Sequence, residues 1–491
     1  MENSSKGIKS IHVIGLHEQF DISLNLREDL NIIYGKNGKG KTTILHIIAN
    51  FLELDIYRFK YLKFKSIKIT SFKGLMVEIK KVENKGCILF SAKIEDGSLL
   101  NNENIFENEF FEDEEVDLNV KSIIRDNFGG ASLYLPAFRA ILERVREEFN
   151  YHPSSSADDS KIQKLRASER ELEAEFCFNG VVRRGFIPAR QDPSYLTARK
   201  TLQCREWFGQ FVPRIRYPSI YEVTMGISNE YEEAMLKIAA EERNMFSEMF
   251  VLVLKELLSN DEAPNQSEVN EIIENIKLKI NENDEEHDNL QISVPYSSVV
   301  DRLKSALQEV SSKSFNSGGG NAERKVLKLY AEMIGKRNEN KKNILEKIRK
   351  FEKSANIFLD QKRLCVNEIR DKRERVRRTV YVEGNNSYMY DLNNLSSGER
   401  QVITMLYSAS RIKVASGLFL IDEPELSLHV DWQRRIINEL RNMAGGRQII
   451  ACTHAPEVGA DHYEDVQDFE VIMHSPNNYD DLSGGFEEDV L

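Results

Sequence analysis

LNIIYGKNGKGKT, Leu30 to Thr42, decides how the rest of this 491-residue chain is read. An apolar run ends in a loop of the form GxxxxGKT, and Thr43 to Leu52 then carries Ile44, Ile47, Ile48 and Phe51 along one helical face. Strand, glycine loop and helix in that order make a phosphate cradle. Glycines let the backbone curl so that N–H groups point at phosphate oxygens, and the positive end of the following helix adds to that field. The candidate nucleotide-binding residues here are Gly35, Asn37, Gly38, Gly40, Lys41, Thr42 and Thr43. Lys41 is placed to bridge the β- and γ-phosphates, and Thr42 to offer its hydroxyl to Mg2+.

An acidic counterpart lies far downstream. In LFLIDEPE the apolar run Leu418–Ile421 predicts a buried strand, with Asp422 emerging at its end as a second Mg2+ ligand. Glu423 beside it is a candidate to orient or deprotonate an attacking water. Gln448–Cys452 is another buried-strand run, and His454 just after it is a candidate γ-phosphate contact. LSSGE, Leu395 to Glu399, has the S-x-x-E form of a capping box ahead of an apolar helix with Val402, Met405 and Leu406. A capped helix N-terminus flanked by glycine is also an anion site, so Ser396, Gly398 and Glu399 join the nucleotide-binding candidates.

The length predicts two to three structural units. Acidic residues outnumber basic ones, 79 to 67, a net charge of −12 that argues against coating nucleic acid with the whole surface. Arg324 to Arg378 runs the other way, with 19 Lys and Arg against 8 Asp and Glu. That stretch reads as a solvated helical face or as a surface for phosphates or an acidic partner. No apolar run approaches the ~18–20 residues needed to cross a bilayer, and the N-terminus carries no apolar signal region. Five scattered cysteines without CxxC spacing argue against a disulfide framework or a zinc site and predict a reducing, cytoplasmic setting.

Short strands are expected over Ile8–Ile14, Phe20–Leu26, Leu30–Tyr34, Phe64–Thr70, Gly74–Val82 and Gly86–Ile94, the last two as a hairpin, and over Ala131–Pro136. Asn101 to Asp117 is acidic and reads as a surface loop. The pattern then turns helical, with flexible breaks at His152–Ser160 and Ser314–Gly320. Val326, Leu329, Tyr330, Met333 and Ile334 form one helical stripe, followed by Ile344, Ile348 and Phe351. Gly335 and the polar run after it mark either a hairpin tip or a weak point in one helix. Heptads are not sustained, so a short helical arm is expected rather than a long coiled coil. The expected class is α/β. Residues 1–145 and 379–491 form the two halves of one nucleotide-binding head, and 146–378 a mainly helical insert. No internal repeat is seen.

Gly35–Thr42, Leu395–Glu399, Leu418–Glu423, Ser427-Leu428-His429 and His454 resemble the Walker A, signature, Walker B, D-loop and switch-histidine motifs of the ABC ATPases. YLPAFR (Tyr134–Arg139), FEKSANIFLDQKRL (Phe351–Leu364), NNLSSGERQ and DEPELSLHVDWQ are similar to the OLD-like ATPases of bacterial antiphage defence, the ATPase subunits of the PARIS and Septu systems among them. His429 stands where transporter D-loops carry Asp, and no Q-loop glutamine is evident, although Arg139 falls in that neighbourhood. The resemblance implies an ABC-type head with an antiparallel β subdomain that hydrolyses ATP with Mg2+. Its composite sites would be shared between two copies in an ATP-sandwich dimer or a higher oligomer. Only 37 residues follow His454, too few for a TOPRIM nuclease, so the effector, a TOPRIM-like or HNH nuclease or a toxin, is expected on a separate chain. Two alternatives are a RecF/SMC-like DNA-repair or chromosome-maintenance ATPase and a scaffold that binds ATP without hydrolysing it. A transporter motor is disfavoured by the distance from Thr42 to Leu395.

Overall fold

The computed structural model describes residues 6–82, 87–94, 106–110, 116–130, 132–139, 193–258, 320–370, 377–384, 388–411 and 417–473, with the single positions 142 and 163. They fall into two compact units, Met1–Ser219 with Ser396–Leu491, and Ile220–Leu395.

In the first unit, β1 (Ile8–Leu16), β2 (Phe20–Asn25) and β3 (Leu30–Tyr34) lead through the glycine loop into α1 (Lys41–Leu52). β4 (Ser66–Ser71), β5 (Leu75–Val82), β6 (Cys87–Ile94), β7 (Phe106–Phe110), α2 (Leu118–Phe128), β8 (Leu133–Leu135) and α3 (Pro193–Phe208) follow. The turn expected between β5 and β6 lies outside the described residues, but the antiparallel register Leu75↔Ile94 to Val82↔Cys87 bears out the hairpin. One expectation is overturned: the acidic loop over Asn101–Asp117 contains β7, which pairs with β6 from Ile88↔Phe110 to Ala92↔Phe106. Burial alternates along FENEF, with Glu107 and Glu109 exposed, and Phe106 stacks on Phe90 with centroids 5.3 Å apart. Acidic composition hid a half-buried edge strand.

The second unit is built on two long helices, α4 (Ile220–Leu258) and α5 (Gly320–Asn356), which pack on each other. At 39 and 37 residues they span roughly 55–60 Å each, so the arm is not short. α5 runs through Gly335 without a break. Helical character also ends earlier than Arg378. β9 (Lys362–Arg370) and β10 (Arg377–Gly384) are antiparallel strands, extended by β11 (Met389–Tyr390) in a three-stranded sheet. Each has a short apolar core flanked by polar and charged residues, Leu364-Cys365-Val366 and Val380-Tyr381-Val382, and Leu364, Val366 and Val382 are fully buried. The basic stretch Arg324–Arg378 is thus divided among a helix and two strands. Several of its cations are paired: Arg337 with Glu242 at 2.6 Å, Arg349 with Glu352 at 2.6 Å and Arg378 with Asp391 at 2.9 Å. The flexible breaks expected at 152–160 and 314–319 lie outside the described residues.

The chain then returns to the first unit with α6 (Ser397–Arg411), β12 (Phe419–Asp422), α7 (Val430–Ala444), β13 (Ile449–Thr453), β14 (Val466–Asp468) and β15 (Val471–Met473). Two sheets result. One is antiparallel, in the order β15-β2-β1-β4-β5-β6-β7; the other is wholly parallel, in the order β14-β3-β13-β12-β8. Every residue of β12 and β13 is buried, as continuous apolar runs in the middle of a parallel sheet require. The compact units divide at 219/220 and 395/396, and the boundary expected at 145/146 lies outside the described residues. Residues 193–219 belong with the head because polar contacts tie them to α1 and the turn after it. Asn50 Nδ2 donates to the Phe211 carbonyl at 2.8 Å, Arg205 bridges to Asp55 at 3.0 Å, and Arg216 Nη2 meets Glu53 at 2.8 Å. Those partners are invisible in local composition.

Candidate nucleotide site

β3, β13, β12 and β8 end side by side, and each delivers a candidate residue beyond its carboxyl end, the side of an open parallel sheet where ligands bind. β3 gives the Gly35–Thr42 loop, β13 gives His454, β12 ends on Asp422, and β8 leads through Pro136 to Arg139.

The loop holds Gly38 at φ +81° and Gly40 at φ +99°, the left-handed region that side chains resist. Gly40 is the N-cap of α1, so the first free N–H groups of that helix face the loop. Asn37 is exposed on the loop and Thr43 half-buried. Lys41 is buried; its Nζ donates to the carbonyls of Gly35 at 2.7 Å and Lys36 at 3.2 Å and lies 3.9 Å from Glu423 Oε1. Thr42 Oγ1 donates to Asp422 Oδ2 at 2.8 Å. The other oxygen, Asp422 Oδ1, is buried with no hydrogen-bond partner. Burial pushes the Asp422 pKa up to about 6, against the Thr42 hydrogen bond and the charges of Arg139 and Lys41. A buried carboxylate with one orphaned oxygen beside a hydroxyl suits a hard dication such as Mg2+, which would hold it ionised.

Glu423 sits at φ +49°, and its Oε2 contacts Nδ1 of His454 directly. Burial, reinforced by the hydrogen bond and charge of Glu425, pushes its pKa up to about 7, while His454 pulls the other way. A carboxylate that titrates near neutrality is suited to accept a proton from water. Glu425 is the residue that sequence reading missed. It is 5% exposed, and its Oε1 accepts from Thr453 Oγ1 at 2.5 Å and from the N–H groups of His454 at 3.1 Å and Ala455 at 3.2 Å. The second acid of DEPE therefore fixes the loop that carries His454. Its position two residues after Glu423 was the available signal.

Arg139 does not take a glutamine's place at the ligand. It is 0% exposed, and its guanidinium clamps main-chain carbonyls: Pro136 at 3.2 Å and Asp422 at 2.8 Å from Nη1, Glu423 at 2.7 Å and Pro424 at 3.1 Å from Nη2. It holds the left-handed turn that aims Glu423.

Ser396 and Glu399 form the expected capping box. Ser396 N–H donates to Glu399 Oε2 at 2.7 Å, and Glu399 N–H to Ser396 Oγ at 3.3 Å. A Cβ on Gly398 would lie 2.7 Å from the Ser427 carbonyl, so the start of α6 packs against the loop before α7 at a point where only glycine fits. His429 caps α7, accepting from Asp431 N–H at 3.4 Å. Beside the loop opens a cleft of about 930 Å³, of a size for a nucleoside, lined among others by His12, Asp21, Lys36, Lys39, Phe469 and Glu470. Lys36 and Lys39 belong to the glycine loop, while His12, Asp21, Phe469 and Glu470 come from opposite ends of the chain and carry no motif.

The parallel sheet, its glycine loop and the antiparallel sheet make this the fold of an ABC-type P-loop ATPase head. Residues 257–461 match the family described as "AAA domain, putative AbiEii toxin, Type IV TA system", a span that takes in α6, β12 and His454 but not the glycine loop. Among solved structures, the chain is similar to the Smc head domain with a coiled coil and joint from Pyrococcus yayanosii. That match has 13% identity and a TM-score of 0.34 and covers 96% of this chain and 97% of the other. The Smc head domain from Pyrococcus furiosus with an extended coiled coil, bound to the C-terminal domain of ScpA, gives 10%, 0.33, and 95% and 96%. No curated protein gives a significant match. Among the described residues, no helix is long and apolar enough to cross a membrane.

Proposed function

We propose that the chain binds ATP with Mg2+ on the Gly35–Thr42 loop and hydrolyses it. The observation that carries this reading is the convergence of Lys41, Asp422 with its orphaned oxygen, and Glu423 against His454 at one sheet edge. Lys41 contacts the β- and γ-phosphates, and Asn37, Gly38 and Thr43 line the cradle. Thr42 and Asp422 would hold Mg2+, which would neutralise phosphate charge when bound. Glu423 takes the proton of the attacking water, and His454 orients that carboxylate and steadies the γ-phosphate. The capped N-terminus of α6, with Ser396, Gly398 and Glu399, completes the site of a second copy, because an N-terminus packed beside glycine favours an anion. Glu423→Gln should bind ATP, accumulate an ATP-bound dimer and lose at least about a hundredfold in turnover. Wild-type turnover in that variant would reject the assignment.

The resemblance to OLD-like ATPases supports a role as sensor or scaffold in bacterial antiphage defence, controlling a separately encoded nuclease or toxin. The family description with its toxin–antitoxin wording is consistent with that setting. Co-purification of a neighbouring gene product, released or activated by ATP, tests it. The paired long helices α4 and α5 favour one alternative, a DNA-repair or chromosome-maintenance ATPase.

A further inference from the structure

YRFKYLKFKSIK, Tyr57 to Lys68, contains no acid, in a chain that is acidic as a whole. The topology gathers this segment and its neighbours at one end of the antiparallel sheet. Ser66, where β4 begins, pairs with Ile14 of β1 on one side and Lys80 of β5 on the other. The β1–β2 turn, the approach to β4 and the exit of β5 therefore share an edge. Arg58, Lys60, Lys63, Lys65, Lys80 and Lys81 all lie there, and Lys63, Lys65 and Lys80 are exposed.

Aromatic rings are interleaved with these cations. Lys60 Nζ lies 3.6 Å from the Tyr57 ring centroid and 4.8 Å from that of Tyr61, and Arg58 lies 5.7 Å from Tyr61. Lys81 lies 5.5 Å from the Phe64 ring, and its Nζ donates to the Lys60 carbonyl at 3.0 Å. Tyr61 is 45% exposed, leaving much of its surface open. Carboxylates offset part of this charge: Glu18 meets Lys63 at 3.1 Å, Asp55 meets Arg58 at 3.4 Å, and Glu78 meets Lys80 at 2.9 Å. The crowding of cations is still felt. Burial and the charge of Lys63 together lower the pKa of both Lys81 and His17. An anion laid across this edge would relieve that repulsion.

We propose that this edge binds a single-stranded nucleic acid, with Lys63 and Lys65, which alternate with buried Leu62, Phe64 and Ser66 as Tyr61 does, against successive phosphates and a base stacked on Tyr61. A row of cations alone would suit any polyanion. The exposed tyrosine among them favours unpaired bases, because a duplex keeps its bases stacked on one another. Tyr61, Lys63 and Lys65 are not among the residues assigned to the nucleotide site, so the proposal is tested apart from ATP hydrolysis.

The test is fluorescence anisotropy of labelled oligothymidylate with the full chain at several salt concentrations. A duplex of equal length, polyglutamate and phosphatidylserine vesicles serve as competitors. Wild type should bind the single strand, with affinity falling as salt rises. Lys63→Glu/Lys65→Glu should weaken binding at least about tenfold and flatten the log–log salt slope by about 0.7 for each phosphate no longer neutralised. Tyr61→Ala should weaken binding at least about fivefold, the loss of one stacked base, without changing the slope. Both variants should keep wild-type ATP turnover and melting temperature. The proposal is overturned if the duplex, polyglutamate or vesicles compete as well as the unlabelled single strand. It is equally overturned if the folded charge-reversed variant binds like wild type or Tyr61→Ala has no effect.

Discussion

Replacing Arg139 tests whether the geometry of the catalytic turn, rather than ligand contact, is what this residue supplies. Its guanidinium donates four hydrogen bonds to carbonyls, and three of the acceptors are the consecutive residues Asp422, Glu423 and Pro424. Hydrogen bonds to a charged group contribute about 1.5–3 kcal/mol each, but bonds from one side chain do not add. Deleting a buried charged partner typically costs about 3–5 kcal/mol, enough to threaten folding, so Arg139→Ala is the wrong variant. Arg139→Lys keeps the charge and can satisfy one or two of the carbonyls. It should fold with a lowered melting temperature. The rest of the loss falls on the turn: Glu423 at φ +49° is in a region costing roughly 1–2 kcal/mol for a residue with a Cβ. With fewer carbonyls held, the turn relaxes and the carboxylate shifts. A displacement of about 1 Å at a catalytic base can cost on the order of a hundredfold in rate. Lys41 and the glycine loop are untouched by this change. The expected result is a kcat reduced between about tenfold and a hundredfold with the Kd for ATP within about threefold of wild type. Titration with a fluorescent ATP analogue and steady-state phosphate release measure the two quantities on the same preparation. Unchanged kcat in folded Arg139→Lys would refute the clamp. Parallel loss of binding and turnover, tracking the unfolded fraction, would reduce Arg139 to a general stability residue.

Three further outcomes follow from the site. Glu425→Gln removes the charge that helps raise Glu423, so the acidic limb of kcat/KM, near pH 7 in wild type, should move to lower pH; an unmoved limb would separate the two carboxylates. Asp422 has a folded pKa raised to about 6, so ionising it costs the fold stability as pH rises from the unfolded value near 4 through 6. Mg2+ should therefore raise the melting temperature more at pH 7 than at pH 5, and Asp422→Asn should abolish the difference; an equal shift at both pH values counts against metal binding there. Mixing Lys41→Ala chains with Gly398→Val chains, each inactive alone, should restore part of the turnover if the signature acts on a partner's nucleotide, and a mixture as dead as its components would contradict a shared site.

The local sequence determined the parts whose signal is local. Leu30 to Thr42 specified strand, loop and helix in register, because a glycine loop between an apolar run and an amphipathic stretch has few other conformations. The Ser396–Glu399 cap was equally legible, since both of its hydrogen bonds span three residues. So were the apolar strands ending at Asp422 and before His454. β7 and β9 were not, since their few apolar residues sit among charged ones, and only pairing against a neighbouring strand reveals which face is buried. The roles of Arg139 and Glu425 were hidden for a stronger reason. Arg139 meets three of its four carbonyl acceptors across 283 to 285 positions of chain, and Glu425 reaches the His454 loop across 28 to 30. The aromatic and basic edge likewise exists only once β1, β4 and β5 pair. Motifs record which chemistry is available, but hydrogen bonds to main chain depend on backbone position rather than side-chain identity. Tertiary structure alone decided which buried groups hold Glu423 and His454 in place.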